Sequence, residues 1–227
     1  MGKTCTRTAA VNGDSPVINL ALSGTEDEIQ GKINALCPFA SVVVHRVAMK
    51  IKFTKTQEVM RYQARVLYLL ATQYNRNDAV ILEIGSFHGF TAALMASAAG
   101  AAQVITLDCD EEHVLISREN LTAYPNVEVI HTLSQDWPKC PVDMVFVDGD
   151  HGPAMREDLE WWEWLNPGGL LVIHDVSMTN TWKAIDVVDG VLDFMATHQI
   201  SLPDVMVVDG GSRGLIGFYK GSSKCEY

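Results

Sequence analysis

Two short stretches bring acids and imidazoles together: Asp148-Gly149-Asp150-His151 and His174-Asp175, each following an apolar run, at 142–147 and 170–173. If both runs are neighbouring strands of an open α/β sheet, their carboxyl ends share the edge where ligands of such sheets bind. Neighbouring strands lie about 4.8 Å apart, so Asp148 and Asp175 can converge on one point. Two or three carboxylates there suit a hard divalent cation, Mg²⁺ first, able to hold an acceptor oxygen and lower its pKa. Imidazole is a poor Mg²⁺ ligand, so His174 either selects a softer metal or serves another role, such as general base. His151 is the rival base.

A second cluster lies in "ILEIGSFHGFTAALMASAAG", residues 81–100, which reads as a buried strand, a glycine turn and a small-residue helix. A P-loop requires Gly-Lys-Ser/Thr, and no lysine occurs between Gly85 and Thr91. A dinucleotide loop is G-x-G-x-x-G, whose middle glycine lets backbone approach a pyrophosphate. Here Phe87 holds that place and the spacing is G-x-x-x-G. Such a loop suits a cofactor without pyrophosphate, and S-adenosylmethionine is one. The next apolar run ends at Asp108, where an acid can accept both hydroxyls of a ribose.

The elements that would position these residues follow from the apolar pattern. Strands are expected at 79–84, 103–107, 127–131, 142–147 and 170–173, and helices near 89–99, 111–123, after Pro153, and near 181–198. Continuous apolar strands alternating with helices give a doubly wound, mostly parallel sheet. "DVMVVDGGSRGLIGFYK" adds an antiparallel hairpin, for seven strands in all. In "EWWEWL", Leu159, Trp162 and Leu165 share a helical face and are expected in the core, with Trp161 and Trp164 off it. Residues 1–78 read as an N-terminal helical segment, with capping boxes at Thr25–Glu28 and Thr54–Gln57, preceding a catalytic domain at 79–227.

Bulk properties narrow the function further. The 227 residues, 48% hydrophobic, carry a net charge of −11, which opposes binding to nucleic acid. The stretch 46–65 is locally basic and reads as a solvated helix face. The five cysteines are scattered without a C-x-x-C, as in a reduced, cytoplasmic protein, and no apolar run is long enough to span a membrane. The opening "MGKTCT" fits the short myristoylation pattern M-G-x-x-x-[ST].

With these motifs in view, residues 79–220 resemble a class I S-adenosylmethionine-dependent methyltransferase. "EIGSFHGFTA" is similar to the family's E-x-G-x-x-x-G motif. "VDGDHGPAMREDLEWWEWLNPGGLLVIHD" is similar to the branch of small-molecule, metal-dependent O-methyltransferases. The resemblance implies cofactor contacts from Glu83, Gly85, Ser86, Gly89, Asp108, Cys109, Ser134, Asp136 and Asp148. It also implies a metal at Asp148 and Asp175, and catalysis by Asp148, His151 and His174. Relatives carry Asp-Asp or Asp-Asn where this chain has His174-Asp175. The expected acceptor is a small molecule, in a pocket shaped in part by residues 1–78; Trp161 and Trp164 are read as an amphipathic edge, or else as the subunit contact of a homo-oligomer. A nicotinamide oxidoreductase with an atypical glycine loop and a non-catalytic binding protein are the alternatives.

Overall fold

The computed structural model describes residues 47, 61–152, 154–176, 181–200, 205–208 and 214–221. Both capping boxes, Pro153, most of the basic stretch, the hairpin turn and the myristoylation-like start lie outside the described residues. The elements are α1 (Arg61–Thr72), β1 (Val80–Ile84), α2 (Phe90–Ala98), β2 (Gln103–Asp108), α3 (Glu111–Asn120), β3 (Val127–His131) and β4 (Val142–Val147). They continue with α4 (Met155–Asp158), a 3₁₀ stretch (Leu159–Trp164), β5 (Leu165–His174), α5 (Thr181–Thr197), β6 (Val205–Val208) and β7 (Leu215–Tyr219).

The strands form one seven-stranded sheet in the order β3-β2-β1-β4-β5-β7-β6. The first five strands pair in parallel, and β7 runs antiparallel to both β5 and β6. This is the doubly wound sheet with a terminal antiparallel hairpin that the apolar pattern predicts. β1 and β4 are buried along their whole length because helices cover both faces. Alternation along the strands separates two cores. Ile81, Met144, Phe146, Leu170 and Val172 pack with α1 and α2. Leu82, Ile84, Val145, Val147, Leu171 and Ile173 pack with α4, the 3₁₀ stretch and α5.

The segment expected as one helix after Pro153 is instead a short α-helix followed by 3₁₀ structure. The chain passes from it straight into β5, and the tighter three-residue turn is a common way for a helix to end as a connector. β5 also starts earlier than its apolar run: Leu165 pairs with Val142, then Leu170 pairs with Met144, leaving Asn166–Gly169 out of register. That offset is fixed from outside the strand. Asn166 Nδ2 donates to Asp143 Oδ1 at 2.9 Å, and Lys220 exchanges backbone bonds with Gly168 and Gly169 at 2.8 Å.

Leu159, Trp162 and Leu165 are buried, as their spacing predicts. Trp161 corrects the expectation: it is fully buried, while Trp164 is 41% exposed. Trp137 and Lys139, from the connection between β3 and β4, fold over the Trp161 ring, with the Trp137 centroid at 5.6 Å and Lys139 Nζ at 4.0 Å. A long-range cover of this kind leaves no trace in helical spacing. Trp161→Ala should therefore cost about 3–5 kcal/mol in denaturant unfolding. Trp164→Ala should change stability by no more than about 0.5 kcal/mol. Equal losses at the two positions would contradict the burial seen here.

Glu83 is the polar exception in the sheet interior. It lies at 0% exposure on the α2 face, where Thr106 Oγ1 donates to its Oε2 at 2.6 Å. Burial pushes its pKa up to about 8, against the opposing pull of the Thr106 and Thr91 hydroxyls. Between its unfolded value of 4.5 and about 8 the folded chain holds a proton that the unfolded chain releases, so this group makes stability fall as pH rises. Chemical denaturation of Glu83→Gln at several pH values is expected to show its stability relative to wild type increasing across that window. A constant difference would contradict the buried, protonated carboxyl.

Candidate active site

The glycine loop takes its shape from crowding. Gly85 has φ +94°, and a Cβ there would lie 2.3 Å from the carbonyl oxygen of Asp148 and 2.8 Å from Gly149 Cα. Its glycine is required by the passage of the β4 end, not by a ligand alone. Gly89, φ +82°, is the N-cap of α2, and a Cβ there would meet Leu121 Cδ1 at 2.8 Å. Between them Phe87 also has positive φ, +45°. Two residues of α3 hold this turn in place. Ser117 Oγ donates to the Phe87 carbonyl at 2.8 Å, and Asn120 Nδ2 donates to the His88 carbonyl at 2.9 Å.

Asp108, at the end of β2, completes the loop. Its Oδ2 accepts from the Phe87 N–H at 2.8 Å and the Ser86 hydroxyl at 3.3 Å, and its Oδ1 accepts from the Asp110 N–H at 2.9 Å. A carboxylate has about four acceptor positions, so these bonds orient it and leave capacity for a ligand. His88 stacks on Phe87 with centroids 3.9 Å apart, and His113 meets Phe87 edge-on at 4.8 Å. These rings make an apolar rim, and burial lowers the His88 pKa.

A cavity of about 470 Å³ opens along the ends of β1 to β4. Of the residues singled out in the sequence, Gly85, Ser86, Asp108, Cys109, Ser134, Asp148 and His151 line it. Glu83 lies below the loop in the sheet interior, while Gly89 and Asp136 are outside the lining. Sequence reasoning missed Asp158, which lines the cavity at 5% exposure and accepts a short hydrogen bond from the Ser134 hydroxyl. Burial raises its carboxyl to about 6, with Ser134 and Lys139 opposing the rise. The signal was present: Asp158 interrupts the apolar positions Met155, Leu159 and Trp162.

His174 and Asp175 do not line the cavity but join two residues that do. His174 Nδ1 lies 2.7 Å from Asp148 Oδ1 and 3.6 Å from Asp175 Oδ2. His151 Nε2 makes a short contact with Asp175 Oδ2, and its Nδ1 lies 2.8 Å from the Gly149 carbonyl. Asp175 reaches this position with φ +60°, a left-handed backbone that costs energy for a residue with a side chain. Acceptors on both ring nitrogens favour imidazolium, and the Asp175 hydrogen bond is the main cause of the raised His151 pKa, against desolvation. Candidate donor atoms of Asp148, His174 and Asp175 all lie within 4.8 Å of one another, a spacing able to surround a cation.

Comparison with known proteins gives the same architecture. Residues 82–176 match a family model described as a methyltransferase domain. A protein of Acanthamoeba polyphaga mimivirus, R132, is 25% identical over 150 residues, spanning 59% of this chain and 68% of its own. An O-methyltransferase from Bacillus cereus, solved with S-adenosylhomocysteine, superposes with a TM-score of 0.55 at 20% identity, covering 85% of this chain and 97% of its own. The Podospora anserina methyltransferase PaMTH1, also bound to S-adenosylhomocysteine, gives 0.58 at 16% identity over 84% and 93%. With the seven-stranded order and the glycine loop against β4, residues 82–176 match the methyltransferase-domain model and the chain shares the fold of these solved methyltransferases.

Proposed function

We propose that this chain transfers a methyl group from S-adenosylmethionine to an oxygen of a small molecule. One observation carries the reading: a single cavity joins the glycine loop and Asp108 to Asp148 and His151. The methionine end of the cofactor would follow Gly85, Ser86 and the start of α2. Its ribose would bind Asp108 and Cys109, its adenine the segment of Ser134, and its methyl group would lie near Asp148. Phe87, 40% exposed, stands where a dinucleotide loop needs bare backbone, which speaks against a nicotinamide cofactor.

Methyl transfer to a hydroxyl requires alignment and removal of one proton. Asp148 stands between the two needs, lining the cavity while bonding His174. His151 is the imidazole that the cavity reaches directly, and His174 stays behind Asp148. Asp175 fixes the His151 ring and favours its protonated form, so His151 would take the acceptor's proton only from its neutral form. The donor set of Asp148, His174 and Asp175 fits a divalent cation, two carboxylates with an imidazole that moves the preference away from Mg²⁺ toward softer metals. A cation held there would polarise the acceptor oxygen. The net charge of −11 favours a small acceptor over nucleic acid. Residues 1–78 are proposed to shape the acceptor side, and the cytoplasm is the proposed location. Among the described residues no helix is long and apolar enough to cross a membrane.

Calorimetry is expected to show S-adenosylhomocysteine binding without NAD binding, and Asp108→Ala should weaken it by roughly 1–3 kcal/mol. NAD binding without S-adenosylhomocysteine binding would overturn the cofactor reading. With labelled S-adenosylmethionine, label should enter small molecules of an extract and not RNA or DNA. Labelling of purified RNA at moderate salt would overturn the substrate class. His151→Ala should lower turnover by about 10²-fold or more at unchanged cofactor affinity, and full activity in that variant would exclude it as the base.

A further inference from the structure

Five aspartates line the cavity, Asp108, Asp110, Asp148, Asp150 and Asp158, and among the described residues no lysine or arginine lines it. Four of the five are engaged. Asp108 holds the glycine loop, Asp110 caps α3 through the Glu112 and His113 N–H groups, Asp148 bonds His174, and Asp158 accepts from Ser134. Asp150 differs from them. It is exposed, it accepts a 3.3 Å bond from the Gly152 N–H, and it has no ion pair among the described residues. The cluster able to surround a cation, Asp148, His174 and Asp175, does not include it. Nearby cationic side chains have other partners. His151 meets Asp175, and Lys139 donates to the Ser134 carbonyl at 3.3 Å and stands 4.0 Å from the Trp161 ring centre. Burial raises the Asp158 carboxyl, Ser134 and Lys139 oppose the rise, and Asp150 adds to it, so the Lys139 charge already acts on Asp158.

The place of Asp150 in the chain gives this carboxylate its use. It lies between Asp148, beside the proposed methyl position, and His151, the imidazole that the cavity reaches. Successive Cα atoms are about 3.8 Å apart, so a hydroxyl presented to both neighbours lies within a side chain's length of Asp150. A phosphate or carboxylate on the acceptor would meet this negative charge with no lysine or arginine in the lining to offset it. An ammonium group fits, because it brings N–H donors to a carboxylate and such charge-assisted bonds are the strong ones. A protonated nitrogen has no lone pair, which leaves the hydroxyl oxygen as the nucleophile. Resting on the S-adenosylmethionine reading above, we propose that the acceptor is an amino alcohol, a hydroxyl compound with an ammonium group a few bonds away, and that Asp150 selects it by pairing with that ammonium.

The test incubates the full chain with trideuteromethyl S-adenosylmethionine and a small-molecule extract. Electrophoresis at neutral pH followed by mass spectrometry separates labelled products from the cofactor and reports their charge. The labelled product is expected to migrate as a cation and to carry an amine that acetic anhydride acylates. A neutral or anionic labelled product overturns this inference and leaves the methyl-transfer reading intact. Label in no small molecule overturns that reading and this inference with it. With the acceptor isolated from the extract, Asp150→Asn should raise KM roughly 10-fold, keep kcat within about threefold and leave S-adenosylhomocysteine affinity unchanged. An unchanged KM in the folded variant overturns the role of Asp150. If the variant fails to fold, the charge of the wild-type product still decides the acceptor class.

Discussion

The close approach of Gly85 to the backbone of Asp148 and Gly149 is the constraint on which the site rests. With 2.3 Å between a notional Cβ and the Asp148 carbonyl, the turn after β1 and the end of β4 can share this space only through glycine. Two backbone bonds lock the arrangement: Gly85 N–H to the Leu107 carbonyl at 2.8 Å, and Asp148 N–H to the Ile84 carbonyl at 2.9 Å. β1 is thereby tied to β2 on one side and β4 on the other. Asp108, the last residue of β2, and Asp148, the first residue after β4, are brought to the same cavity. Ser117 and Asn120 add support from α3, so the loop is bound on three sides before any ligand arrives.

The strand-end cluster depends on the same sheet geometry. His174 follows Leu170 and Val172 on the α1–α2 face, and its ring lies 6.4 Å from that of Phe146. A regular strand would carry the next side chain to the opposite face. At Asp175 the backbone turns left-handed, and the carboxylate meets both His151 and His174. Four polar side chains from two strand ends thus form one connected group beside the cavity, with Asp148 and His151 facing into it. Strain at a residue that joins several ionisable groups is commonly found at functional sites.

Much of this order was legible in the sequence. Buried parallel strands carry their signal locally, in continuous apolar runs, so β1, β2 and β4 match their expected ranges within about a residue. The acids and imidazoles follow such runs directly, which places them at the strand ends. Contacts between distant segments were not legible. Trp161 owes its burial to Trp137 and Lys139, and the early start of β5 to Asp143 and Lys220. Asp158 becomes part of the cavity only because the chain after β3 delivers Ser134 to it. Glu83 shows the reverse case: a motif acid expected at the cofactor lies inside the sheet, its carboxyl bonded to Thr106.

A crystal structure of the chain with S-adenosylhomocysteine tests the central claim most directly. The ligand should occupy the cavity with its homocysteine along Gly85 and Ser86, its ribose hydroxyls on Asp108 and its sulfur toward Asp148. Density for the ligand away from the ends of β1, β2 and β4, or an unoccupied cavity at saturating ligand, would contradict it.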